Sequence, residues 1–360
     1  MGNNTTISWT ETGILLDYHS YLIACAILIC IANCLVFVLF FTNASLRTNG
    51  NYLLFSLAIS DLFVGLIGIP LNIGCEITQR WNMCLSGYSV NRFIAISTVY
   101  HIFWITLEKY AAILFPFKHK LHFDRMKVKL ICLSTWLGSI FLSVIELTWL
   151  TKHNNPNEDY SYDIKKKVMI YNIFIFALVF VFPISVMVFA YASIFLRIVK
   201  KTSNGFLRKH GKQHGKSFVH PRHTRTAILF FGILLMFILS WFWWFYIEIY
   251  YTLHASYELV PEKFYVFLIS LRYSTSFLNP VSYTFFKRDF SKALKKCVNR
   301  LRLASTNEMQ RSNQASMTAV SIAFKVQPTS SLNNVFTITR EGNEDVTPGN
   351  KIERSKKTAE

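Results

Sequence analysis

Charged residues are scarce in this sequence, and two long stretches have none at all. Asp, Glu, Lys and Arg make up 16% of the 360 residues, whereas soluble domains carry about 25%. Residues 21–41 and 168–196 lack all four over 21 and 29 positions, and hydrophobic residues reach 52% of the chain. These features exclude an ordinary water-soluble domain.

Motifs of enzymes are missing as well. The sequence has no glycine loop that cradles phosphates, no zinc signature and no nucleophile elbow. The protein is therefore predicted not to be an enzyme.

The apolar residues are gathered into seven long runs. Besides the two uncharged stretches, five more runs contain one charge each: residues 52–75, 84–107, 130–151, 226–257 and 264–286. A helix rises about 1.5 Å per residue, so about 20 residues cross the hydrocarbon core of a membrane. Any single run could be a buried helix of a soluble protein, but seven together predict an all-α membrane protein with a seven-helix bundle.

Basic residues predict the orientation of the bundle. The segments predicted to face the cytosol hold Arg47, Lys109 and two basic clusters, residues 118–129 and 197–225, and the opposite side is poor in Lys and Arg. Basic residues favour the cytoplasmic side, so we expect a multi-pass plasma-membrane protein with an extracellular N-terminus. The first 18 residues lack Lys and Arg, which predicts a retained first span rather than a cleaved signal peptide. The net charge of +18 is then expected to meet anionic lipids, not nucleic acid.

The flanks of the bundle suggest three regions. Residues 1–18 are the predicted extracellular N-terminus, with overlapping glycosylation sequons at Asn3 and Asn4. Residues 19–298 form the membrane domain, which ends in a short amphipathic eighth helix with Cys297 near its end. Cys297 is a palmitoylation candidate or a free thiol. Residues 299–360, rich in Ser and Thr, are predicted to be a disordered cytosolic tail.

A buried acid lies in the middle of the second run. A lone carboxylate at the depth of Asp61 must be protonated, paired or bound to a cation. Polar residues lie at mid-span on other helices: Asn33, Thr98, Ser276 and Asn279. They predict a hydrated ion and proton site, and the alternative is a hydrogen-bonded packing node. Pro70, Pro183 and Pro280 predict bends in the second, fifth and seventh spans.

The outer halves of the spans carry charges of both signs. The charged residues are Arg92, Glu146, Glu248 and Arg272, and the same halves hold Asn91, Ala95, Trp241 and Tyr273. They predict a ligand pocket, with Trp241 at its floor. The alternative is that some of the charged side chains extend to the outer membrane surface.

Several residues recur in the order found in one receptor family. They are Asn33, Asp61 after Leu57-Ala58, Cys84, Glu108-Lys109-Tyr110, Trp136, Pro183, Tyr191, Trp241, and Asn279-Pro280 with Tyr283. Over residues 20–298 the chain resembles the rhodopsin-like (class A) G-protein-coupled receptors. The resemblance implies a small extracellular ligand in the outer cavity and a heterotrimeric G protein at the inner face. It also implies sodium at Asp61 and contact of arrestin and receptor kinases with the tail.

The resemblance further implies a set of coupling residues at the inner face: Glu108, Lys109, Tyr110, Tyr191 and Tyr283. The sequence departs from the pattern of this family at three places. Lys109 replaces the usual arginine, the sixth helix lacks a proline two residues after Trp241, and the outer loop 151–167 has no cysteine. Cys84 therefore either pairs with Cys75 or stays free. The first two departures motivate a non-signalling decoy receptor as the alternative; intramembrane charges motivate a transporter or channel.

The second run, residues 51–71, is similar to the amine-receptor branch of the family. Asn91, however, stands where those receptors place an aspartate, and Tyr273 stands where opsins place the lysine that holds retinal. The expectation is a divergent receptor for a small ligand, with an amine as one candidate and without retinal.

Overall fold

The computed structural model describes residues 9–150, 162–208, 221–254 and 262–325. Within these ranges all regular elements are helical, which confirms the predicted all-α fold. The helices are α1 (Trp9–Thr42), α2 (Asn49–Phe63), α3 (Ile69–Thr78), α4 (Trp81–Leu114), α5 (Pro116–His122), α6 (Arg125–Val144), α7 (Leu147–Leu150), α8 (Tyr162–Ile175), α9 (Phe182–Arg208), α10 (Pro221–His254), α11 (Glu262–Phe286) and α12 (Arg288–Lys325).

Six stretches within the described residues are long and apolar enough to cross a membrane. They are Tyr18–Thr42, Asn49–Thr78, Trp81–Leu114, Arg125–Leu150, Asp163–Lys200 and Ile228–Ile247. Each overlaps one of the first six predicted runs. The seventh run forms α11, which has 25 residues and is long enough to span, but its Ser, Thr, Asn and Arg residues make it more polar.

Two of the predicted bends appear as widened helix. The π-helical segment Val64–Gly68 joins α2 to α3 before Pro70, and Phe176–Val181 joins α8 to α9 before Pro183. Proline lacks an N–H and its ring crowds the carbonyl one turn earlier, so a wider turn relieves the clash. Pro280 lies inside α11.

Glycine allows α1 to approach the first of these π-helical segments closely. A Cβ atom on Gly65 would lie 2.8 Å from Sγ of Cys30 and 2.9 Å from the backbone oxygen of Ala26. Because that oxygen belongs to the backbone of α1, it has little freedom to move away. The close contact of the first two spans therefore depends on residue 65 being a glycine, which has no side chain.

Local chemistry also sets where α6 begins. Asp124 precedes the helix, and its carboxylate accepts a hydrogen bond of 2.8 Å from the backbone N–H of Lys127. This N-cap satisfies one of the free donors of the first turn and lowers the pKa of the Asp124 carboxyl. Further along α6, the Trp136 indole donates to Ser56 on α2 over 2.9 Å, which ties the fourth span to the second.

The core follows the interior of the bundle, and much apolar surface faces outward. Val99, Tyr191, Phe237 and Tyr283 are fully buried in the larger of two clusters of core residues. Many large apolar side chains on α1, α6 and α9 are exposed instead. A water-soluble monomer rarely exposes so much contiguous apolar surface, so these faces fit contact with lipid.

The helix after α11 is longer than the sequence predicted. Phe290 at its start is buried, with its ring 5.4 Å from that of Tyr283. The structure keeps residues 299–325 helical where a disordered tail was expected, and no Gly or Pro interrupts residues 288–325. The compact bundle ends at Leu301 and a second unit begins at Arg302; the described part of that unit, up to Lys325, is a helix.

Candidate functional site

A cavity opens among α4, α8, α10 and α11, in the half of the bundle that is predicted to face outward. Its empty space, counted together with the part that opens to solvent, is about 560 Å³. Apolar and aromatic side chains make up most of its wall, together with a few polar and charged groups. The lining includes Tyr88, Asn91, Arg92, Ala95, Asn172, Ile175, Val179, Trp241, Trp244, Phe245 and Arg272.

Arg92 on one wall is compensated by an acid. Its Nε lies 3.4 Å from Oε2 of Glu146, and its Nη2 donates to Oδ1 of Asn172 over 2.9 Å. Arg92 also donates to the Tyr88 hydroxyl, and its guanidinium lies 5.1 Å from the ring centroid of Tyr171. Glu146 is only 2% exposed, so this ion pair is strengthened by its low-dielectric surroundings.

Arg272 on the opposite wall has a different environment. Its side chain is 5% exposed, and its guanidinium carbon lies 4.0 Å and 4.6 Å from the ring centroids of Trp244 and Tyr273. Its Nη2 donates a long hydrogen bond of 3.4 Å to Oδ1 of Asn91. Among the described residues, no carboxylate lies within the 4.0 Å of an ion pair with Arg272. Aromatic faces and one amide thus surround this cation.

Most of the predicted pocket residues meet at this cavity. Five line it directly: Asn91, Arg92, Ala95, Trp241 and Arg272. Tyr273 lines a smaller neighbouring cavity of about 260 Å³, and Glu146 lies behind Arg92. The side chain of Glu248 lies outside the described part of the chain. Arg92, Glu146 and Arg272 are held inside the bundle rather than extended to the outer surface.

The sequence analysis missed eight lining residues, and three of them carry a polar group: Tyr88, Asn172 and Trp244. Tyr88 lies one helical turn before Arg92, and this spacing is the signal that could have identified it. Asn172 is the single Asn in the uncharged run 168–196, which is a second available signal. Trp244 was one of several aromatic residues in residues 240–246, and periodicity alone did not distinguish it.

The buried acid of the second span lies deeper in the bundle. Asp61 is 0% exposed, and its Oδ2 accepts a hydrogen bond of 3.1 Å from Asn279. Its Oδ1 has no hydrogen-bond partner among the described residues. A buried carboxylate oxygen without a donor is costly, which makes this position suited to a cation, a water or a proton.

The other residues of the predicted sodium site surround this acid in two pairs. Asn33 donates to the backbone oxygen of Ser276 over 3.2 Å, and the hydroxyl of Thr98 lies 3.3 Å from that of Ser60, the neighbour of Asp61. Oδ1 of Asn33 is also buried and without a partner in the described ranges. Oxygen atoms of this kind are the ligands that hard cations prefer.

At the outer end, α3 and α4 are linked covalently. Cys75 and Cys84 form a disulfide with their Cα atoms 4.6 Å apart, which is the first of the two alternatives left by the sequence. The turn between them includes Gln79 in the left-handed conformation, with φ 51°. The bond holds the first turn of α4, whose next turns carry Asn91 and Arg92.

At the inner end, Glu108 is held by two basic side chains. Its Oε2 forms an ion pair with Nζ of Lys109, and its Oε1 lies 3.0 Å from Nε2 of His119 on α5. A Cβ atom on Gly50 would lie 3.0 Å from Oε1, so α2 approaches this carboxylate closely. We define Glu108, Lys109 and His119 as the inner lock. Glu108 and Lys109 are among the predicted coupling residues; His119 was missed, because α5 turns back on α4.

The remaining coupling residues lie near the inner lock or deeper in the core. The Tyr110 ring packs 5.9 Å from that of Phe115 and 6.4 Å from that of Phe189. The hydroxyls of Tyr191 and Tyr283 are buried and have no hydrogen-bond partner among the described residues. Buried polar atoms normally find a partner, so two such hydroxyls indicate that another arrangement could satisfy them.

The predicted modification sites are less informative. Asn3, Asn4 and the tail beyond residue 325 lie outside the described residues. Cys297 is a half-buried free thiol on α12, and its palmitoylation stays a prediction.

Comparisons with known proteins agree with this geometry. The family model described as 7 transmembrane receptor (rhodopsin family) matches residues 32–283. The histamine H2 receptor of Canis lupus familiaris is 27% identical over 278 residues, which cover 75% of this chain and 76% of that receptor. The octopamine receptor beta-2R of Drosophila melanogaster is 26% identical over 315 residues, 73% of this chain and 57% of that receptor. The histamine H2 receptor of Homo sapiens is 25% identical over 257 residues, with 69% and 70% covered.

Proposed function

The chain belongs to the rhodopsin family of seven-transmembrane receptors, and we propose that it binds a small extracellular ligand and activates a heterotrimeric G protein. The observation that carries this proposal is the arrangement of α4. Its outer half supplies Asn91 and Arg92 to the cavity, and its inner end supplies Glu108 and Lys109 to the inner lock. One helix therefore links a ligand site to a charged switch on the opposite side.

The mechanism is an equilibrium between a resting and an active arrangement. In the resting arrangement Glu108 holds Lys109 and His119, and the hydroxyls of Tyr191 and Tyr283 lack partners. A ligand that binds the active arrangement more tightly shifts the equilibrium by its differential affinity. Lys109 is then released, and the two tyrosines gain polar partners as the inner ends of α9, α10 and α11 separate to admit a Gα terminus.

The names of the relatives suggest biogenic amines as ligands, namely histamine and octopamine. In this chain Asn91 is uncharged and Glu146 already pairs with Arg92. The described walls therefore offer an amine no uncompensated carboxylate. Arrestin and receptor kinases are expected to act on the Ser/Thr tail.

The Lys109→Arg variant tests whether the native chain signals. Lysine is a compact point charge and arginine a planar fork, yet a competent receptor should already hold Glu108 through Lys109. We expect nucleotide exchange on purified Gα to change by less than about threefold, or about 0.7 kcal/mol. Lys118→Arg, on the exposed surface of α5, is the matched control. A gain of tenfold or more in Lys109→Arg alone would favour the non-signalling decoy.

Sodium is the ion proposed to bind beside Asp61. The unpartnered oxygens of Asp61 and Asn33 fit such a cation, which would stabilise the resting arrangement by compensating a buried charge. At ten times its dissociation constant, an ion that binds only the folded state stabilises it by about 1.4 kcal/mol. We expect sodium chloride to raise the Tm of the purified receptor above that in N-methylglucamine chloride.

The Asp61→Asn variant should lose this sodium dependence, because an amide carries no charge to compensate. The control is Asp289→Asn, an acid on α12, which should keep it. Equal Tm values of the wild type in the two salts would rule out the ion site.

A further inference from the structure

We propose that the outer cavity recognises the carboxylate of a small monoanionic ligand, with Arg272 as the residue that binds it. This inference rests on the proposed receptor function and names the chemical class of its ligand. It departs from the amines that the relatives' names suggest.

The first step is the charge of Arg272 itself. Arginine stays protonated at any physiological pH, and a buried charge is costly unless it is paired. Arg272 is 5% exposed, and its hydrogen bond to Asn91 is long at 3.4 Å. A guanidinium has five N–H donors, so a neutral amide at this distance satisfies little of its capacity.

The second step is orientation. The guanidinium lies against the rings of Trp244 and Tyr273, at 4.0 Å and 4.6 Å from their centroids. Stacking on aromatic faces compensates part of the desolvation and restricts the guanidinium plane. Arg272 also contributes to the walls of both cavities. A guanidinium held in this way is prepared for two parallel hydrogen bonds to a planar carboxylate.

The third step is the balance of charge on the described walls. Arg92 has Glu146 at 3.4 Å, whereas Arg272 has no acid at ion-pair distance in the described ranges. One positive charge is left over, which calls for one negative charge on the ligand. A protonated amine at the same place would meet Arg272 as a like charge.

The fourth step is the chemistry of the lining. Besides the arginines, Val179, Trp241 and Phe245 line the cavity. These side chains favour a compact apolar or aromatic body. The class is therefore a small aromatic or aliphatic monocarboxylate.

The test uses the full-length receptor in nanodiscs and ligands that share a carbon skeleton and differ in the charge and type of their terminal group. One set is indole-3-acetate, indole-3-acetamide and tryptamine; the second is 3-phenylpropionate, 3-phenylpropionamide and 3-phenylpropylamine. Dissociation constants are measured from the rise of Tm with ligand concentration. In at least one set we expect the carboxylate to bind about tenfold or more tightly than its amide.

Two variants assign that preference to Arg272. Arg272→Gln should weaken carboxylate binding about 10- to 100-fold and leave the amide within about threefold. Asn91→Asp places an acid beside Nη2 of Arg272, so it should abolish the carboxylate preference and improve amine binding. Arg80→Gln, an exposed outer arginine, is the control and should bind like the wild type. Asn91→Asp also keeps the test decisive if Arg272→Gln does not fold.

Three results would overturn the inference. In the first, the wild type prefers no carboxylate over its amide; in the second, Arg272→Gln weakens all ligands equally. In the third, the Glu248→Gln variant prefers the carboxylate and the wild type does not. Glu248 would then be the partner of Arg272. Nucleotide exchange on Gα is measured separately. Carboxylate binding without exchange would refute the receptor function and support the ligand class. Exchange driven by tryptamine would support the receptor function and refute the carboxylate as the ligand class.

Discussion

Replacing Glu108 by Gln is expected to raise basal nucleotide exchange on purified Gα about tenfold, because the ion pair with Lys109 and the contact with His119 are weakened together. Glutamine keeps the size of the side chain but offers Lys109 and His119 no negative charge. Coupling energies between states are commonly 1–3 kcal/mol, or about 5- to 150-fold. Glu108 is 5% exposed, so water screens the attraction of its carboxylate poorly. The coupling energy that is lost should therefore lie well inside the range of 1–3 kcal/mol.

The measurement compares receptors at equal concentration in nanodiscs, without ligand, by the rate of nucleotide uptake on Gα. His119→Gln removes one partner and should give a smaller rise than Glu108→Gln. Glu308→Gln changes an exposed acid on α12 and should match the wild type. Unchanged or lower exchange in Glu108→Gln, with normal folding, would show that the inner lock does not hold the resting arrangement.

Removing the outer disulfide is expected to cost about 2.6 kcal/mol of folding stability, since a bridge over nine positions restricts the unfolded chain. The Cys84→Ser variant also frees the first turn of α4, whose following turns carry Asn91 and Arg92. Ligand binding in the outer cavity should therefore weaken together with stability.

Thermal unfolding with and without dithiothreitol checks this expectation. Reductant should bring the wild type to the Tm of Cys84→Ser and leave the variant unchanged. Cys34→Ser, at an exposed free cysteine, is the control and should retain the response to reductant. A wild type that unfolds at the same temperature in both conditions would contradict a stabilising bridge.

The helical architecture was predictable because its cause is local. Runs such as residues 21–41 are uncharged over a length that matches a membrane, and a helix satisfies the backbone hydrogen bonds there within a single segment. The extent of α12 was not predictable, since the polar composition of residues 299–325 indicated disorder although helix formers without Gly or Pro can continue a helix. The bend at Val64–Gly68 was predictable from Pro70, but the close contact of Gly65 with α1 was not.

The candidate site was predictable as a set of residues but not as a set of pairs. Asn91, Arg92, Trp241 and Arg272 were recognised because polar or aromatic residues at membrane depth are unusual. His119 was not, because the short helix α5 brings it back to Glu108 only in three dimensions.

The sequence by itself determined that the solvent is a membrane, that about seven helices cross it, and that acids and bases lie within them. Charge, length and hydrophobicity are properties of single segments, so they can be read along the chain. Only the tertiary structure decided which charge meets which. Helix packing gives Glu146 to Arg92 and leaves Arg272 with aromatic rings and Asn91, which is 181 positions away in the chain. In a low dielectric that choice of neighbours sets the charge of the cavity, and with it the class of ligand we propose.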